Sequence, residues 1–129
     1  MPTRAFTNVL CRDVGASAAF YTQLLGLKEH FSSDWFVILT DPYQPGFEFG
    51  LLQQDHDIVP PAARGSATGA MLTFVVSDCD LVHRTAVELG AEVLEEPTDM
   101  PYGQRRMILR DPNGMVVDIS APTAPPPSS

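Results

Sequence analysis

Apolar and polar positions in the first half of the chain change from one period to another. Residues 5–11 alternate between apolar and polar side chains, as a strand does, and run into Asp13. Apolar residues then recur with helical spacing over 14–25, and Gly26 follows. Because Asp commonly caps the start of a helix and Gly its end, the pattern predicts a strand followed by a helix.

The second half repeats this order of patterns. Residues 71–76 alternate and run into Asp78, and apolar residues recur with helical spacing over 81–89, where Gly90 follows. The match in period and capping residues predicts that the chain contains two copies of one structural unit.

Each predicted helix is followed by a second shared pattern, in which an Asp-Pro pair ends one strand and a glycine precedes the next. These segments are Val37–Pro42, Gly46 and 47–52 in the first half, and Met107–Pro112, Gly114 and 115–119 in the second. Asp-Pro followed by Gly is typical of a hairpin turn. The pattern in each half of the chain therefore predicts a βαβββ module. Two paired modules would form a curved, eight-stranded mixed sheet around a concave cavity, with the helices outside, which is an α+β fold.

Turn-forming composition separates the two modules. Residues 54–69 are rich in Pro, Gly and polar side chains and predict a linker between a first module at 1–53 and a second at 70–120. Residues 121–129 contain four prolines among small residues and predict a disordered tail. The whole is expected to act as one structural domain.

Charge and cysteine content limit the possible partners. The chain of 129 residues carries a net charge of -8 at pH 7, which disfavours nucleic acid and anionic membranes and favours neutral or cationic small molecules. Only Cys11 and Cys79 are present, too few for a disulfide scaffold or a cysteine-rich zinc module. The sequence shows neither a signal peptide nor a membrane span, so a cytoplasmic protein is expected.

Two motifs at this spacing resemble those of the vicinal oxygen chelate superfamily. They are Phe20-Tyr21 with Leu25-Gly26-Leu27, and Asp111-Pro112-Asn113-Gly114 before an alternating strand. The resemblance covers about residues 4–120. The superfamily includes glyoxalase I, extradiol dioxygenases, fosfomycin-modifying transferases and drug-binding resistance proteins. Residues 103–118 look most like the metal-free drug-binding members, such as mitomycin-resistance proteins. The resemblance also implies a homodimer.

The positions that hold metal in other members are poor in donors here. By resemblance they fall on Phe6, Gly50, Met71 and Asp118, with Glu48 two residues from Gly50. A divalent cation needs three or four nitrogen, oxygen or thiolate donors, and only the carboxylates supply them. We therefore expect no metal, no other cofactor and no catalytic residue.

The three histidines do not supply the missing metal-binding donors. His30, His56 and His83 fall on three different predicted segments. His56 lies between two aspartates in the linker and is either part of a metal or proton-relay cluster or, as we favour, part of a solvated acidic loop.

A ligand-binding surface remains as the candidate site. The resemblance implies that side chains sharing the parity of the metal positions point into the cavity, and that Trp35 and Tyr102 lie at its rim. Phe6, Phe36, Met71 and Ile108 could instead fill a closed core, and Asp118 could pair with Arg106. The candidate ligand-binding residues are Phe6, Asn8, Trp35, Phe36, Ile38, Glu48, Gly50, Met71, Thr73, Tyr102, Arg106, Ile108 and Asp118.

The function expected from these features is metal-independent binding and sequestration of an aromatic, amphipathic or cationic small molecule, such as an antibiotic. The alternative is a glyoxalase- or dioxygenase-like lyase, isomerase or oxidoreductase with an atypical metal site or none. A metal-free enzyme would use Asp118 or Glu48 as general base, with a pKa raised by apolar surroundings. A structural module without a small ligand is the third possibility.

Overall fold

In the computed structural model, which describes residues 1–65 and 68–123, the first helix (α1) spans Val14–Leu25, the bounds that its capping residues predict. The Asp13 carboxylate accepts a hydrogen bond of 3.1 Å from the backbone N–H of Ala16. Gly26 ends the helix at a φ of 68°, a left-handed conformation that is strained for residues with a Cβ.

The second helix (α2) spans Cys79–Glu88 and begins two residues before the predicted start at 81. Asp78 is its N-cap and accepts a hydrogen bond of 3.1 Å from the backbone N–H of Leu81. Because an N-cap directly precedes the first helical residue, the helix starts at Cys79, which is buried, and not at Leu81, which is exposed.

The first unit, Met1–Ser66, contains a four-stranded sheet in the order β1-β4-β3-β2. Strand β1 runs parallel to β4, and the other neighbours are antiparallel. Helix α1 packs on β3 and β4, where Tyr21 is fully buried and meets the ring of Phe49 edge-on at 4.9 Å between centroids. The strands are β1 Asn8–Cys11, β2 Lys28–Ser32, β3 Phe36–Asp41 and β4 Gln44–Gln53.

The second unit, Ala67–Ser129, repeats this topology in the order β5-β8-β7-β6, with β5 parallel to β8. Helix α2 packs on β6, β7 and β8. The α+β class and the two βαβββ modules predicted from the sequence are confirmed, with the eight strands in two four-stranded sheets. The strands are β5 Leu72–Val75, β6 Glu92–Asp99, β7 Gln104–Arg110 and β8 Val116–Pro122.

The two Asp-Pro motifs form related turns. Asp41 Oδ1 accepts the backbone N–H of Tyr43 at 2.8 Å between β3 and β4. Asp111 Oδ1 accepts the N–H groups of both Asn113 and Met115, at 2.8 and 2.9 Å, between β7 and β8. The second turn is the more enclosed, because Asp111 is 5% exposed whereas Asp41 is partly exposed.

Parts of the expected linker and tail that the structure describes are buried or have regular secondary structure. Val59, inside the expected linker, is 1% exposed, and a short 3₁₀ helix spans Pro61–Ala63. Strand β8 continues through Pro122, two residues into the segment that was expected to form a tail. Residues 124–129 of that segment lie outside the described residues. No helix in 1–65 and 68–123 is long and apolar enough to cross a membrane.

Candidate functional site

Strand register places the candidate residues of the first unit on one face of its sheet. Phe49 contacts α1, so the alternate residue Gly50 and its register partners Asn8 and Ile38 lie on the opposite face. We call this surface, opposite α1, the first face. It consists of Asn8, Leu10, Phe36, Ile38, Thr40, Glu48, Gly50 and Leu52.

The carboxamide of Asn8 lies across the backbone of Gly50. A Cβ added at Gly50 would overlap Oδ1 of Asn8 and would come within 3.0 Å of Cε1 of Phe36. Glycine at this position therefore leaves room for an amide and an aromatic ring side by side. The Asn8 side chain makes no hydrogen bond among the described residues, so it can offer a donor and an acceptor to a ligand.

Aromatic rings continue from the first face to the linker. The Phe36 ring lies 5.9 Å from Phe31, which is 48% exposed, and 5.9 Å from Trp35. The Trp35 indole in turn stacks on His56, with centroids 4.0 Å apart and planes inclined by 12°. His56 thus covers one side of an indole that the sequence suggested as a rim residue, and its Nδ1 accepts the N–H of Ile58 at 3.1 Å.

Glu48 is already paired at the edge of the first face. Nη2 of Arg4 donates to Oε1 of Glu48 at 2.6 Å, Nε of Arg4 donates to the other oxygen, and the guanidinium lies 4.8 Å from the Phe6 ring centroid. The hydrogen bond from Arg4 holds the Glu48 pKa below its ordinary value and outweighs burial, which raises it. The expectation of a raised pKa is therefore wrong for Glu48, which is poorly suited to act as a general base.

In the second unit, register brings Thr73, Ile108 and Asp118 together. Arg105 pairs with Asp80 of α2, so the alternate positions lie on the face opposite α2. We call this surface the second face. It consists of Thr73, Val75, Arg106, Ile108, Asp118 and Ser120.

Asp118 is the most enclosed charged group of the second face. It is 7% exposed, and its two oxygens accept hydrogen bonds from Thr73 Oγ1 at 3.2 Å and from Ser120 Oγ at 2.7 Å. The pairing with Arg106 considered from the sequence does not form, since Arg106 donates to Glu95 at 3.1 Å. Burial, the largest influence, lowers the pKa of Arg106. The hydrogen bond to Glu95 and the nearby charges of Tyr102 and Asp118 together raise this pKa by more, so that the net shift is upward.

Met71 and Tyr102 lie at exposed positions of the second unit, and Tyr102 is near enough to Arg106 to influence its pKa. They are 53% and 60% exposed, and each lies just outside a strand of the second unit.

The residues at the implied metal positions do not fit a divalent cation. In the first unit, Phe6 carries Arg4 over its ring and Gly50 has no side chain. In the second unit, Met71 is an exposed thioether, and Asp118 uses both oxygens toward hydroxyl groups. Within 1–65 and 68–123, no group of three or more His, Cys, Asp or Glu side chains is arranged to hold a metal ion.

The two faces have diverged at equivalent register positions. Gly50 and its partner Asn8 in the first unit correspond to Asp118 and its partner Thr73 in the second. Likewise Phe36 corresponds to Arg106. At equivalent backbone positions, the first face is therefore apolar and aromatic, whereas the second face is polar and charged.

Sequence reasoning missed Arg4, Ser120 and the contact of His56 with Trp35. Ser120 shares the parity of Asp118 and could have been found by extending the predicted strand 115–119 by one residue. Arg4 gives no such signal, because its partner lies 44 residues away and no periodicity connects them.

Two curated relatives come from Streptomyces. The anthracycline biosynthesis protein DauV of Streptomyces sp. (strain C5) is 36% identical over 115 residues, which are 84% of this chain and 38% of that protein. The anthracycline biosynthesis protein DnrV of Streptomyces peucetius is 36% identical over 106 residues, 78% of this chain and 34% of that protein. The chain thus spans little more than a third of the length of these relatives.

Solved structures show the same fold. A glyoxalase/bleomycin resistance protein/dioxygenase family enzyme from Burkholderia phytofirmans PsJN aligns with a TM-score of 0.74 at 23% identity, over 90% of this chain and 95% of that one. TioX from Micromonospora sp. ML1 aligns with a TM-score of 0.70 at 16% identity, over 95% and 98%. The sequence profile of one family also matches residues 4–119. On the strength of that match and of the repeated βαβββ units, this chain belongs to the Glyoxalase/Bleomycin resistance protein/Dioxygenase superfamily.

Proposed function

We propose that this chain binds and sequesters a flat aromatic small molecule, an antibiotic of the anthracycline type, on the first face and without a metal ion. The observation that carries the proposal is the carboxamide of Asn8, which makes no hydrogen bond among residues 1–65 and 68–123 and lies beside the Phe36 ring in the space that Gly50 leaves open. Ligand sites are commonly apolar surfaces with a few polar groups that fix orientation, and the first face has this composition.

The aromatic residues favour a planar ligand over an aliphatic one. Offset or edge-on contacts between rings contribute about 0.5–1.5 kcal/mol beyond the burial of area. Phe36 offers such a contact directly beside a hydrogen-bonding group, whereas Trp35 already stacks on His56. The curated relatives support the choice of antibiotic class, since both are anthracycline biosynthesis proteins.

Sequestration is favoured over catalysis by the donor set. Chelate-assisted reactions need a Lewis acid to stabilise a developing oxyanion, and Phe6, Gly50 and Met71 supply no suitable ligand for one. Glu48, the carboxylate of the first face, is held ionised by Arg4 and has a lowered pKa. The enzymatic alternative predicts that a bound compound is converted.

The test is a titration of EDTA-treated protein with daunorubicin, followed by calorimetry and by mass spectrometry of the recovered compound. We expect saturable binding and unchanged daunorubicin. Phe36→Leu should weaken binding by about three- to tenfold, the value of one aromatic contact. Phe20→Leu, a matched change on α1, should leave binding unaltered. Conversion of the compound, or equal losses in both variants, would count against the proposal.

The remaining expectations are also proposals. A homodimer in the cytoplasm stays a prediction. Native mass spectrometry of the purified protein measures the subunit number, and we expect a dimer.

A further inference from the structure

A bulge in strand β2 interrupts the regular alternation of its side chains. Glu29 opposes Leu39. The next paired residue is Phe31, which opposes Ile38, so His30 is an extra residue in the strand. A β-bulge places two residues of one strand opposite a single residue of its partner, and bulges beside functional sites often redirect a side chain. His30 and Phe31 therefore both lie opposite Ile38, which belongs to the first face.

Two observations support a position of the bulge on the first face. The Phe31 ring lies 5.9 Å from the ring of Phe36, a first-face residue. The pKa of Glu48 is lowered mainly by the hydrogen bond from Arg4, and the nearby charge of His30 adds to that lowering. Because Glu48 is also a first-face residue, His30 and the Phe31 ring lie on the same side of the sheet.

The second unit has the same bulge with different side chains. Its register shifts between Val93 and Glu95, which makes Leu94 the extra residue opposite Ile108. Glu95 there accepts a hydrogen bond from Arg106, whereas the Leu94 side chain has no polar atom. The bulge is thus a feature of the repeated backbone, and in the first unit it presents an imidazole.

A row of register partners crosses the whole sheet of the first unit. Asn8 pairs with Gly50, and Gly50 pairs with Ile38, opposite which the bulge lies. Neighbouring strands are about 4.8 Å apart, so the three intervals separate the backbones of Asn8 and His30 by about 14 Å. A polar side chain stands at each end of this row, and a glycine and an apolar side chain lie between them. Three or four fused rings, contacted by side chains from both ends, match this span.

The His30 imidazole has no partner of its own in the part of the chain that the structure describes. It is exposed, and it makes no hydrogen bond or ion pair among residues 1–65 and 68–123. A neutral imidazole has one nitrogen that accepts a hydrogen bond and one that donates. Since Asn8 supplies a donor and an acceptor at the other end, the row suits a flat molecule that carries a polar group at each edge.

We infer that His30 is a ligand-binding residue of the first face, where it accepts a hydrogen bond from a hydroxyl group on a flat aromatic ligand that lies along the row from Asn8. This inference rests on the proposed function and adds a substituent that the ligand carries. The net contribution of one such hydrogen bond corresponds to about a fivefold change in affinity. Removing the imidazole should therefore lower the affinity for a hydroxylated ring system and leave the affinity for its ether unchanged.

The experiment compares hydroxymethylanthraquinone, a flat ring system with an un-ionised hydroxyl group, with its methyl ether, which cannot donate a hydrogen bond. Equilibrium dialysis of EDTA-treated protein measures the affinity for each compound. Wild-type protein is expected to bind the alcohol about fivefold more tightly, and His30→Leu should reduce that preference to within about twofold. Glu29→Gln changes the preceding residue, which opposes Leu39, and it should retain the preference.

The outcomes separate the inference from the proposed function. Equal binding of alcohol and ether by the wild type, an undiminished preference in His30→Leu, or an equal loss in Glu29→Gln overturns the inference and leaves the proposed function standing. Binding of daunorubicin but of neither anthraquinone has the same meaning, whereas saturable binding of none of the three compounds overturns both.

The leucine variant has a precedent within the chain. Leu94 occupies the equivalent bulge position of the second unit, so His30→Leu is expected to fold. If it does not, His30→Val also removes the imidazole and suits a strand, and the same expectation applies to it.

Discussion

Replacing Asp111 by alanine should lower the free energy of unfolding by about 3 kcal/mol, because one carboxylate oxygen organises the turn between β7 and β8. That oxygen accepts the N–H groups of Asn113 and Met115 at 2.8 and 2.9 Å in a site where Asp111 is 5% exposed. A hydrogen bond to a charged group contributes about 1.5–3 kcal/mol, and alanine would leave two backbone donors without this acceptor.

The chain offers two matched controls for this estimate. Asp111→Asn keeps an oxygen at the Oδ1 position and should cost less than about 1 kcal/mol, if geometry and not charge is decisive. Asp41→Ala changes the equivalent turn of the first unit, where a partly exposed carboxylate accepts a single N–H from Tyr43. It should cost about 1 kcal/mol.

Urea unfolding at neutral pH, followed by far-ultraviolet circular dichroism, measures these differences. The predicted order of destabilisation is Asp111→Ala, then Asp41→Ala, then Asp111→Asn. Equal losses for the two alanine variants would refute the link between burial and cost. An asparagine variant as unstable as Asp111→Ala would show that charge, and not the position of the oxygen, organises the turn.

Three further predictions follow from other contacts. Gly50→Ala should weaken daunorubicin binding roughly fivefold, because the added methyl group displaces the Asn8 carboxamide. Asn8→Ala removes that carboxamide and should weaken binding by a similar factor, so calorimetry should find no further loss of affinity in the double variant. Arg4→Met should destabilise the protein at neutral pH but not in acid. Because the pKa of Glu48 is lower in the folded than in the unfolded protein, the ion pair stabilises the fold above the unfolded pKa, and this stabilisation is lost as the pH falls through the folded pKa. Urea unfolding at several pH values would check this. Burial raises the pKa of the Cys79 thiol, so its labelling by a thiol reagent should be much slower in the folded protein than in urea, and equal rates would contradict its burial.

The fold could be predicted from local signals because each unit carries them in the same order. Asp13 and Gly26 fix the bounds of α1, since a side-chain acceptor and a residue free to adopt positive φ are both local requirements. The start of α2 was misplaced because the prediction began at Leu81, which is exposed, and passed over Cys79, the buried residue that directly follows the N-cap Asp78. Pairing of β8 as far as Pro122 could not be predicted, because proline content suggests a tail whereas a neighbouring strand decides the outcome.

The candidate site was predictable in its faces and not in its contacts. The family resemblance, combined with the period of two along a strand, predicted that Asn8, Gly50 and Asp118 share the parity of the metal positions, and the register shows which partners they have. The same period cannot show that Arg4 reaches Glu48 or that His56 stacks on Trp35, since those contacts depend on segments far apart in sequence. Glu48 was therefore predicted to be a ligand-binding residue, although both of its oxygens accept hydrogen bonds from the Arg4 guanidinium.

The most direct test of the proposed sequestration is a nuclear magnetic resonance titration of isotope-labelled protein with daunorubicin in the presence of EDTA, with the compound recovered and weighed by mass spectrometry. The account predicts saturable shifts of the Asn8 side-chain amide and of backbone amides in β1, β3 and β4, and a recovered compound of unchanged mass. Shifts that leave the first face unaffected, or a compound of altered mass, would contradict it.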